Sequence, residues 1–321
     1  MNRNRPNLNK DATLSELGEF GLIGEVTAAL PSHGDVLIGP GDDAAAVRFA
    51  GPVLISADVL VEGVHFRRDW SSAHQIGRKA AAVNISDIEA MGGRAKALVV
   101  CFSAPGDLPA SWAVDCLAGL AEEAALCGAV VVGGDTTASR DVTIAVTVFG
   151  SASGEPVRRA GARAGQVVAL AGRVGWAAGG LTVLQRGFSA PRDLVAAHQV
   201  PTPPYGEGEA AARAGASALI DVSDGLLADL RHIADASGVC IDVHTSAFEA
   251  PESLQRLAAA TGASPMRLML TGGEDHALAG CFDATRVPEG WRVIGEVRQG
   301  SGVLVDGQDW EGSEGWDHFT S

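Results

Sequence analysis

Several apolar runs of this chain end in the same kind of turn, where a small residue stands beside an acid. The runs are LIGPGDDA, LISADV, VVVGGDTT, LIDVSDG and LTGGEDH, which carry Asp42, Asp43, Ser56, Asp58, Asp135, Asp221, Ser223, Asp224, Glu274 and Asp275. Ligands of open α/β sheets bind outside the carboxyl ends of the strands. The repeated pattern therefore predicts an α/β protein with its site at these turns, although any single Asp–Gly turn is ordinary turn chemistry.

Carboxylates collected at one place repel each other unless cations offset their charge. Hard, oxygen-rich sites suit Mg²⁺, which commonly takes one or two carboxylates together with substrate phosphates. Glycines let phosphate oxygens approach the backbone. A helix expected over VNISDIEAMGG adds Asn84 and Asp87, which are three residues apart and so share one face. The turns together predict a multi-metal phosphate site.

Length and charge narrow the class of protein. The chain has 321 residues, more than one core usually organises, so two domains are expected. Its formal net charge of −15 argues against a nucleic-acid or anionic-membrane surface and permits Mg-bound nucleotides. Five scattered cysteines without a C-x-x-C pair indicate reduced thiols and a cytoplasmic protein.

Helical and strand patterns alternate along the chain. A polar, disordered tail is expected over residues 1–13, a first helix over Leu14–Leu30 and a helix N-cap at Ser72. The segment SASGEPVRRAGARAGQ predicts a boundary between domains 14–150 and 151–321. In the second domain, RLMLTGGEDHALAGCF is expected to form a strand, a glycine turn and another strand.

Two nucleotide-binding motifs are alternatives to a metal site. GPGDDA formally fits the dinucleotide pattern G-x-G-x-x-A, but Asp42 and Asp43 would then face a pyrophosphate at a helix start, where positive charge is needed. The sequence contains no G-x-x-x-x-G-K-[ST], which excludes an ordinary P-loop kinase by motif.

The ordered motifs resemble those of thiamine-monophosphate kinase, a family in the aminoimidazole-ribonucleotide synthetase superfamily. The matching stretches run from about Gly18 to Phe319 and are GEFGLI, GPGDDAAAV, ISADVLVEGVHF, KAAAVNISDIEAMGG, VVGGDTT, RRAGARAG, IDVSDGLLADL, LTGGEDHAL and GWDHF. The resemblance implies an N-terminal α/β domain that binds ATP and Mg²⁺ and whose sheet forms a barrel across a homodimer. It further implies a C-terminal α/β domain with a mixed sheet. The implied activity is Mg-dependent, direct in-line transfer of the ATP γ-phosphoryl group to thiamine phosphate, giving thiamine diphosphate and ADP.

Matched residue by residue, the family's motifs imply a role for each site position. The implied metal ligands are Asp43, Ser56, Asp58, Asp87, Asp135, Asp221 and Asp224, with Ala57 offering only its backbone carbonyl. The implied ATP contacts are Gly134, Asp135, Arg159 and Ser223, and the implied substrate contacts are His65, Glu274 and Trp316. Asp43, Asp87 and Asp221 are the implied catalytic residues.

Two positions depart from the family pattern. Ala57 stands where Thr is common, and His276 stands where Tyr is usual. Two further residues have alternative interpretations. Asp42 either binds metal or only shapes its turn, and Lys79 contacts phosphate, pairs with the acids or lies on a solvated helix face.

The acceptor in this reaction is a phosphate monoester, which is already largely a dianion at neutral pH, so no strong general base is needed. The difficulty is to bring two polyanions together. The acidic turns are also compatible with three other functions: a different ATP-dependent synthetase of the superfamily, a metal-dependent phosphohydrolase, and a non-catalytic nucleotide- or cation-binding protein. A product assay distinguishes them.

Overall fold

The computed structural model describes residues 12–31, 33–41 and 44–316. The implied metal ligand Asp43 and its neighbour Asp42 lie outside the described residues, as do 1–11 of the expected tail and 317–321 of the terminal motif. The chain divides into two compact units: residues up to Ile85 together with Ala95–Ser151, and Ser86–Arg94 together with the residues from Ala152 onward. None of the described helices combines the length and the hydropathy that crossing a membrane requires.

A four-stranded mixed sheet forms the first unit. The helices and strands from the beginning of the chain to the last strand of this sheet are α1 (Leu14–Leu17), α2 (Glu19–Ala29), β1 (Val36–Ile38), β2 (Ala46–Val47), β3 (Val53–Val61), α3 (Ala73–Ala90), β4 (Gly93–Ala104), α4 (Ala110–Leu126), β5 (Val130–Ala138) and β6 (Thr143–Ala152). The strand order is β3-β6-β4-β5, with β3 and β6 antiparallel and β4 and β5 parallel. Alternate residues of β6 are buried, so one face of the sheet lies against the core.

Helices α3 and α4 pack with their backbones in contact. A Cβ at Gly77 would lie 1.7 Å from the carbonyl oxygen of Cys116, and a Cβ at Gly119 would lie 2.1 Å from that of His74. These distances are far below any real Cβ contact, so the crossing requires glycine at both positions.

The beginnings of the first helices test two sequence predictions. The N-cap at Ser72 is confirmed, since its Oγ accepts from the N–H of Gln75 at 3.3 Å and Oε1 of Gln75 accepts from the N–H of Ser72 at 2.9 Å. This reciprocal pair is a capping box. The single helix expected over Leu14–Leu30 is wrong, because Gly18 has a φ of 73° and separates α1 from α2.

A seven-stranded sheet forms the second unit. Its elements are β7 (Val167–Ala171), α5 (Trp176–Gln185), α6 (Arg192–Gln199), α7 (Glu207–Ala214), β8 (Ala218–Val222), α8 (Leu226–Ser237), β9 (Cys240–Val243), α9 (Glu252–Thr261), α10 (Pro265–Thr271), β10 (Ala277–Phe282), β11 (Arg292–Arg298), β12 (Gly302–Val305) and β13 (Gln308–Asp309). The strand order is β13-β12-β9-β11-β7-β10-β8. β12 and β9 are parallel and the other pairs are antiparallel, which confirms the expected mixed sheet. Leu219 and Ile220 are consecutive on β8 and enter different core clusters, so both faces of the sheet are covered.

The segment RLMLT is helical, and the strand expected there is wrong. It belongs to α10, where Ser264 is the N-cap and its side chain accepts from the N–H of Arg267. Pro265 occupies the first turn, which suits its fixed φ. A short apolar run cannot be assigned to strand or helix by periodicity alone. The strand expected after the glycine turn is confirmed as β10.

Candidate functional site

Two acidic turns of the second unit lie side by side. β8 and β10 are antiparallel neighbours, so the turn after β8 meets the turn before β10 at one end of the strands. The N–H of Glu274 donates to the carbonyl of Ser223 at 2.7 Å. A Cβ at Gly273 would lie 2.6 Å from the same oxygen, so this approach requires glycine. The sheet therefore brings Asp221, Ser223 and Asp224 close to Glu274.

Asp221 lies at the centre of this group and is 5% exposed. Ser86 Oγ donates to its Oδ2 at 2.9 Å, and Nδ1 of His276 lies 3.1 Å from the same oxygen. Burial alone raises the pKa of Asp221, but the hydrogen bond and charge of His276, together with Ser86, hold that pKa below its usual range. Burial likewise lowers the pKa of His276, but the bond to Asp221 outweighs burial and raises it. Each group of the pair therefore favours the charged form of the other.

Three more charges act on this pair. Glu274 and Asp87 both favour the charged form of His276, and Arg159 favours that of Asp221. Asp87 is half-buried near the end of α3, in the part of that helix that belongs to the second unit. Three sequence-predicted acids of this unit, Asp87, Asp221 and Glu274, therefore act on one buried imidazole, and Arg159 acts on its partner Asp221.

Asp224 and Trp316 meet through the backbone. The N–H of Trp316 donates to the carbonyl of Asp224 at 3.0 Å, and the indole-bearing residue is 56% exposed. The N–H groups of Asp224 and Gly225 both donate to Oδ2 of Asp229 at 3.1 Å. Gly225 has a φ of 136°, and its Cβ would lie 2.7 Å from the carbonyl oxygen of Thr271. The turn is therefore held rigidly at the residue predicted to bind metal.

The donor set of this group fits a hard divalent cation. Its candidate ligands are carboxylates, namely Asp87, Asp221, Asp224 and Glu274. Oxygen donors of this kind suit Mg²⁺ and Ca²⁺, whereas softer metals favour thiolate and imidazole ligands. Gathered carboxylates also need a cation to offset their repulsion.

In the first unit, the predicted ligands lie at opposite edges of one sheet. Ser56, Ala57 and Asp58 are on β3, whereas Gly134 and Asp135 are on β5. Three strand spacings separate the two edge strands, about 14 Å along the sheet. This unit alone does not place the two groups next to each other.

Asn84 and Gly134 each fix one of these strands. Oδ1 of the buried Asn84 accepts from the N–H of Asp58 at 2.9 Å. A Cβ at Gly134 would lie 2.0 Å from the carbonyl oxygen of Val100, so β5 approaches β4 here only because this residue is glycine. Asn84 thus fixes the backbone at the predicted ligand Asp58, and the predicted ATP contact Gly134 also has a structural role.

His65 is held in its turn by two contacts. Its Nδ1 accepts from the N–H of Val61 at 3.1 Å, and Nζ of Lys79 donates to its carbonyl oxygen at 3.0 Å. Because Nδ1 is an acceptor, the ring hydrogen is on Nε2. Lys79 is only 2% exposed, so its interpretation as part of a solvated helix face is wrong.

A cavity of about 900 Å³ lies within the first unit, and its lining is mostly apolar. Phe20, Phe49 and Phe149 contribute aromatic rings to it. Gly134 and Asp135, which the sequence assigned to ATP, line the same cavity. It is large enough for a drug-sized ligand.

Asp275 caps a helix. Its two carboxylate oxygens accept from the N–H groups of Gly175 and Ala177 at 2.5 and 2.8 Å, at the beginning of α5. Burial raises the pKa of Asp275 to about 7 in spite of these bonds. Glu89 caps α7 in the same way through Gly206 and Gly208, and burial also raises its pKa to about 7.

Asp275→Asn is expected to flatten the pH dependence of stability. The folded state holds a proton that the unfolded state releases above about pH 4, so this group destabilises the fold progressively as the pH rises from about 4 to about 7. The slope is at most about 1.4 kcal/mol per pH unit, and Asn removes it. Urea unfolding at about pH 5 and about pH 7 measures it; an unchanged slope in the variant would contradict the assignment.

Asp242, His244 and Glu296, elsewhere in the second unit, have ligand atoms within 4.8 Å of one another and so could hold a metal ion. Arg298 already pairs with both carboxylates, at 2.6 Å from Asp242 and 2.6 Å from Glu296. A guanidinium therefore supplies the positive charge that a metal ion would bring, and we assign this group a structural role.

Sequence reasoning missed three residues that support the site: Ser86, Asn84 as a backbone anchor, and Asp229. His276 was marked only as a departure from the family pattern. Ser86 and Asp221 are 135 residues apart, and no local pattern indicates that they meet. A serine directly before the Asp–Ile–Glu of α3 has no signature that separates it from an ordinary helical serine.

Two family models match the chain in succession. "AIR synthase related protein, N-terminal domain" matches residues 41–152, and "AIR synthase related protein, C-terminal domain" matches residues 163–307.

Named relatives are similar to this chain over nearly its whole length. A thiamine-monophosphate kinase of Mycobacterium tuberculosis (strain ATCC 25618 / H37Rv) is 49% identical over 311 residues, covering 96% of this chain and 93% of the relative. A thiamine-monophosphate kinase of Corynebacterium glutamicum is 39% identical over 320 residues, covering 96% of this chain and 95% of the relative. The solved structure "AaThiL complexed with AMPPCP and TMP" has a TM-score of 0.77 at 30% identity and covers 96% of this chain and 99% of that one.

Proposed function

Because this chain belongs to the thiamine-monophosphate kinases, within the AIR synthase related proteins, we infer that it phosphorylates thiamine monophosphate with ATP. The products are thiamine diphosphate and ADP. The observation that carries this function is 49% identity to a thiamine-monophosphate kinase over nearly the whole chain. The fold is the two-domain α/β fold of this family, with mixed sheets in both units.

The metal is Mg²⁺, held on each unit by carboxylates of the acidic turns. On the second unit these are Asp87, Asp221 and Asp224, whose hard oxygen donors support this choice. On the first unit the ligands are the carboxylates of Asp43, Asp58 and Asp135, the hydroxyl of Ser56 and the backbone carbonyl of Ala57. When bound, Mg²⁺ offsets the charge of the phosphates and stabilises the transferring group.

ATP contacts Gly134, Asp135, Arg159 and Ser223. Gly134 and Asp135 support this because they line the apolar cavity of the first unit, which suits a nucleoside. Arg159 acts on Asp221 and presents a guanidinium, whose geometry matches phosphate oxygens.

Thiamine phosphate contacts His65, Glu274 and Trp316. Glu274 supplies negative charge for the cationic thiazolium. Trp316, which is exposed and whose backbone N–H donates to the carbonyl of Asp224, carries an indole that can stack on that ring. His65 presents Nε2 as a donor, because Nδ1 is already bound by the backbone.

Trp316→Ala is expected to raise KM for thiamine phosphate more than KM for ATP. Stacking on a cation is worth about 0.5–2 kcal/mol, which corresponds to an increase of up to about 30-fold. Steady-state kinetics with each substrate varied in turn measure this, with Trp310→Ala as a matched indole control. Equal increases for the two substrates in Trp316→Ala would remove Trp316 from the substrate site.

Transfer is direct and in line, with Asp43, Asp87 and Asp221 as the catalytic residues. The acceptor phosphate is its own nucleophile because it is largely a dianion at neutral pH. The protein therefore has to position two polyanions and exclude water, and it needs no phosphorylated side chain.

The protein is a cytoplasmic homodimer whose first domain, residues 14–150, carries the contacts between copies. β3 is an edge strand of the described sheet, and Val53, Ile55 and Val59 are exposed along it. An apolar edge strand of this length is a template for pairing with another chain, and closing a barrel across two copies would cover it. The five free thiols suit a reducing compartment. Sedimentation equilibrium should give the mass of two chains.

The deciding experiment incubates the protein with Mg²⁺, ATP and thiamine phosphate and measures thiamine diphosphate and ADP in equal amounts. Omitting the acceptor tests the phosphohydrolase alternative, since ATP should then persist. Replacing it with a purine-precursor ribonucleotide tests the synthetase alternative. A phosphorylated protein that passes its phosphate to thiamine phosphate would contradict direct transfer.

A further inference from the structure

The carboxylate of Asp221 is held by two side chains on the same oxygen. Ser86, near the end of α3, and His276, in the turn before β10, both bond Oδ2. The two partners are 135 and 55 residues away in sequence, so two separate segments of the second unit fix one carboxylate. With both bonds on Oδ2, rotation about the terminal torsion of Asp221 would break two hydrogen bonds.

The turn that carries His276 is strained in a way that serves this contact. His276 has a φ of 53° and Glu274 has a φ of 67°, both in the left-handed region. Such conformations cost about 1–3 kcal/mol each and persist only where the surroundings enforce them. Here the N–H groups of both residues donate to carbonyls of the Val222–Ser223 backbone, at 2.9 and 2.7 Å. The left-handed backbone conformation of His276 therefore costs free energy, and it places the imidazole beside Asp221.

We propose that Ser86 and His276 are positioning residues that fix Oδ2 of Asp221 and so present Oδ1 to the phosphate-bound cation. This rests on the proposed function, in which Asp221 is a metal ligand. A ligand carboxylate held by outer hydrogen bonds keeps one oxygen aimed at the metal, and losing such a partner typically costs about 10–100-fold in metal affinity or activity. In this chain a histidine stands where tyrosine is usual in the family, and its Nδ1 lies 3.1 Å from Oδ2 of Asp221.

The experiment measures cation affinity without turnover. Mn²⁺ is titrated into the full-length protein in the presence of a non-hydrolysable ATP analogue, and bound Mn²⁺ is followed by electron paramagnetic resonance. Ser86→Ala and His276→Ala are each expected to weaken Mn²⁺ binding by about 10–100-fold. His276→Asn should restore the affinity, because its amide nitrogen can replace Nδ1 as the donor and Asn tolerates a positive φ.

Two readouts separate positioning from a general structural defect. The Mg²⁺ concentration for half-maximal activity should rise by the same factor in Ser86→Ala, while KM for thiamine phosphate at saturating Mg²⁺ stays unchanged. His232→Ala, on the exposed side of α8, is the matched histidine control and should behave as the unmodified protein.

Wild-type Mn²⁺ affinity in Ser86→Ala and His276→Ala would overturn the proposal, as would a His276→Asn variant that binds as weakly as His276→Ala. If the His276 variants do not fold, the Mn²⁺ affinity of Ser86→Ala tests the proposal by itself. This variant should fold, because Ala is well accommodated in a helix. The outcome is distinguishable from a failure of the proposed function, since Mn²⁺ binding is measured without any acceptor. If thiamine phosphate is not phosphorylated, the affinity comparison still stands.

Discussion

Replacing Asp87 with Asn is expected to lower kcat by about 10²–10³-fold while the protein stays folded. Asp87 is half-buried close to His276, within the group of charges around Asp221. Asn keeps the shape of the side chain but removes the charge that would hold a cation against the phosphates. Losing one transition-state charge contact of this kind costs about 3–4 kcal/mol, and losing a bridging metal costs more.

The matched comparison is Asp42→Asn, which removes the same charge from the GDD turn. If Asp42 only shapes that turn, its loss should lower kcat far less. Both variants are assayed at saturating Mg²⁺ and ATP, with circular dichroism to establish that each is folded. Equal losses, or a larger loss at Asp42, would show that the wrong acids have been assigned to the metal.

Gly77→Ala is expected to destabilise the first unit by about 3 kcal/mol or more. The added methyl would lie 1.7 Å from the carbonyl oxygen of Cys116, and neither helix backbone can give way without moving its neighbours. Small-to-large changes in a packed core commonly cost about 1–3 kcal/mol, and a backbone atom cannot rotate out of the way as a side chain can.

Gly24→Ala in α2 is the control, since a Cβ there meets no atom within 4 Å. Ala is the better helix former by about 1 kcal/mol, so this variant should be as stable as the original or slightly more stable. Urea unfolding of both variants measures the difference. Equal midpoints would mean that α3 and α4 can separate at little cost.

The acidic turns could be found in the sequence because each follows an apolar run directly. Asp221 lies near the end of β8, Asp224 follows that strand and Glu274 precedes β10, and the antiparallel pairing of the two strands brings the two turns together. The N-cap at Ser72 was also predictable because it rests on a local pattern, whereas the mixed sheet of the second unit was implied by the family resemblance.

Other features depend on contacts that no local pattern contains. Ser86 is recognisable as a partner of Asp221 only in three dimensions. The left-handed conformation of His276 is held by the bond of its N–H to Val222 of β8, and positive φ is uncommon for any residue other than glycine. The apolar residues of RLMLT are compatible with either a strand or a helix. The segment is helical in the structure, where Ser264 caps the helix. The opposite-edge positions of Asp58 and Asp135 follow from strand order, which the sequence does not specify.

The buried carboxylates of the second unit have a consequence for calorimetry. Burial raises the pKa values of Glu89, Asp229 and Asp275 to about 7 each, so near neutrality all three take up protons on folding. Heating the protein through its transition will release those protons to the buffer. The measured heat will then include the enthalpy of protonating the buffer, and Tris and phosphate should give different apparent values for the same unfolding. Only an extrapolation across several buffers will yield the enthalpy of the protein itself.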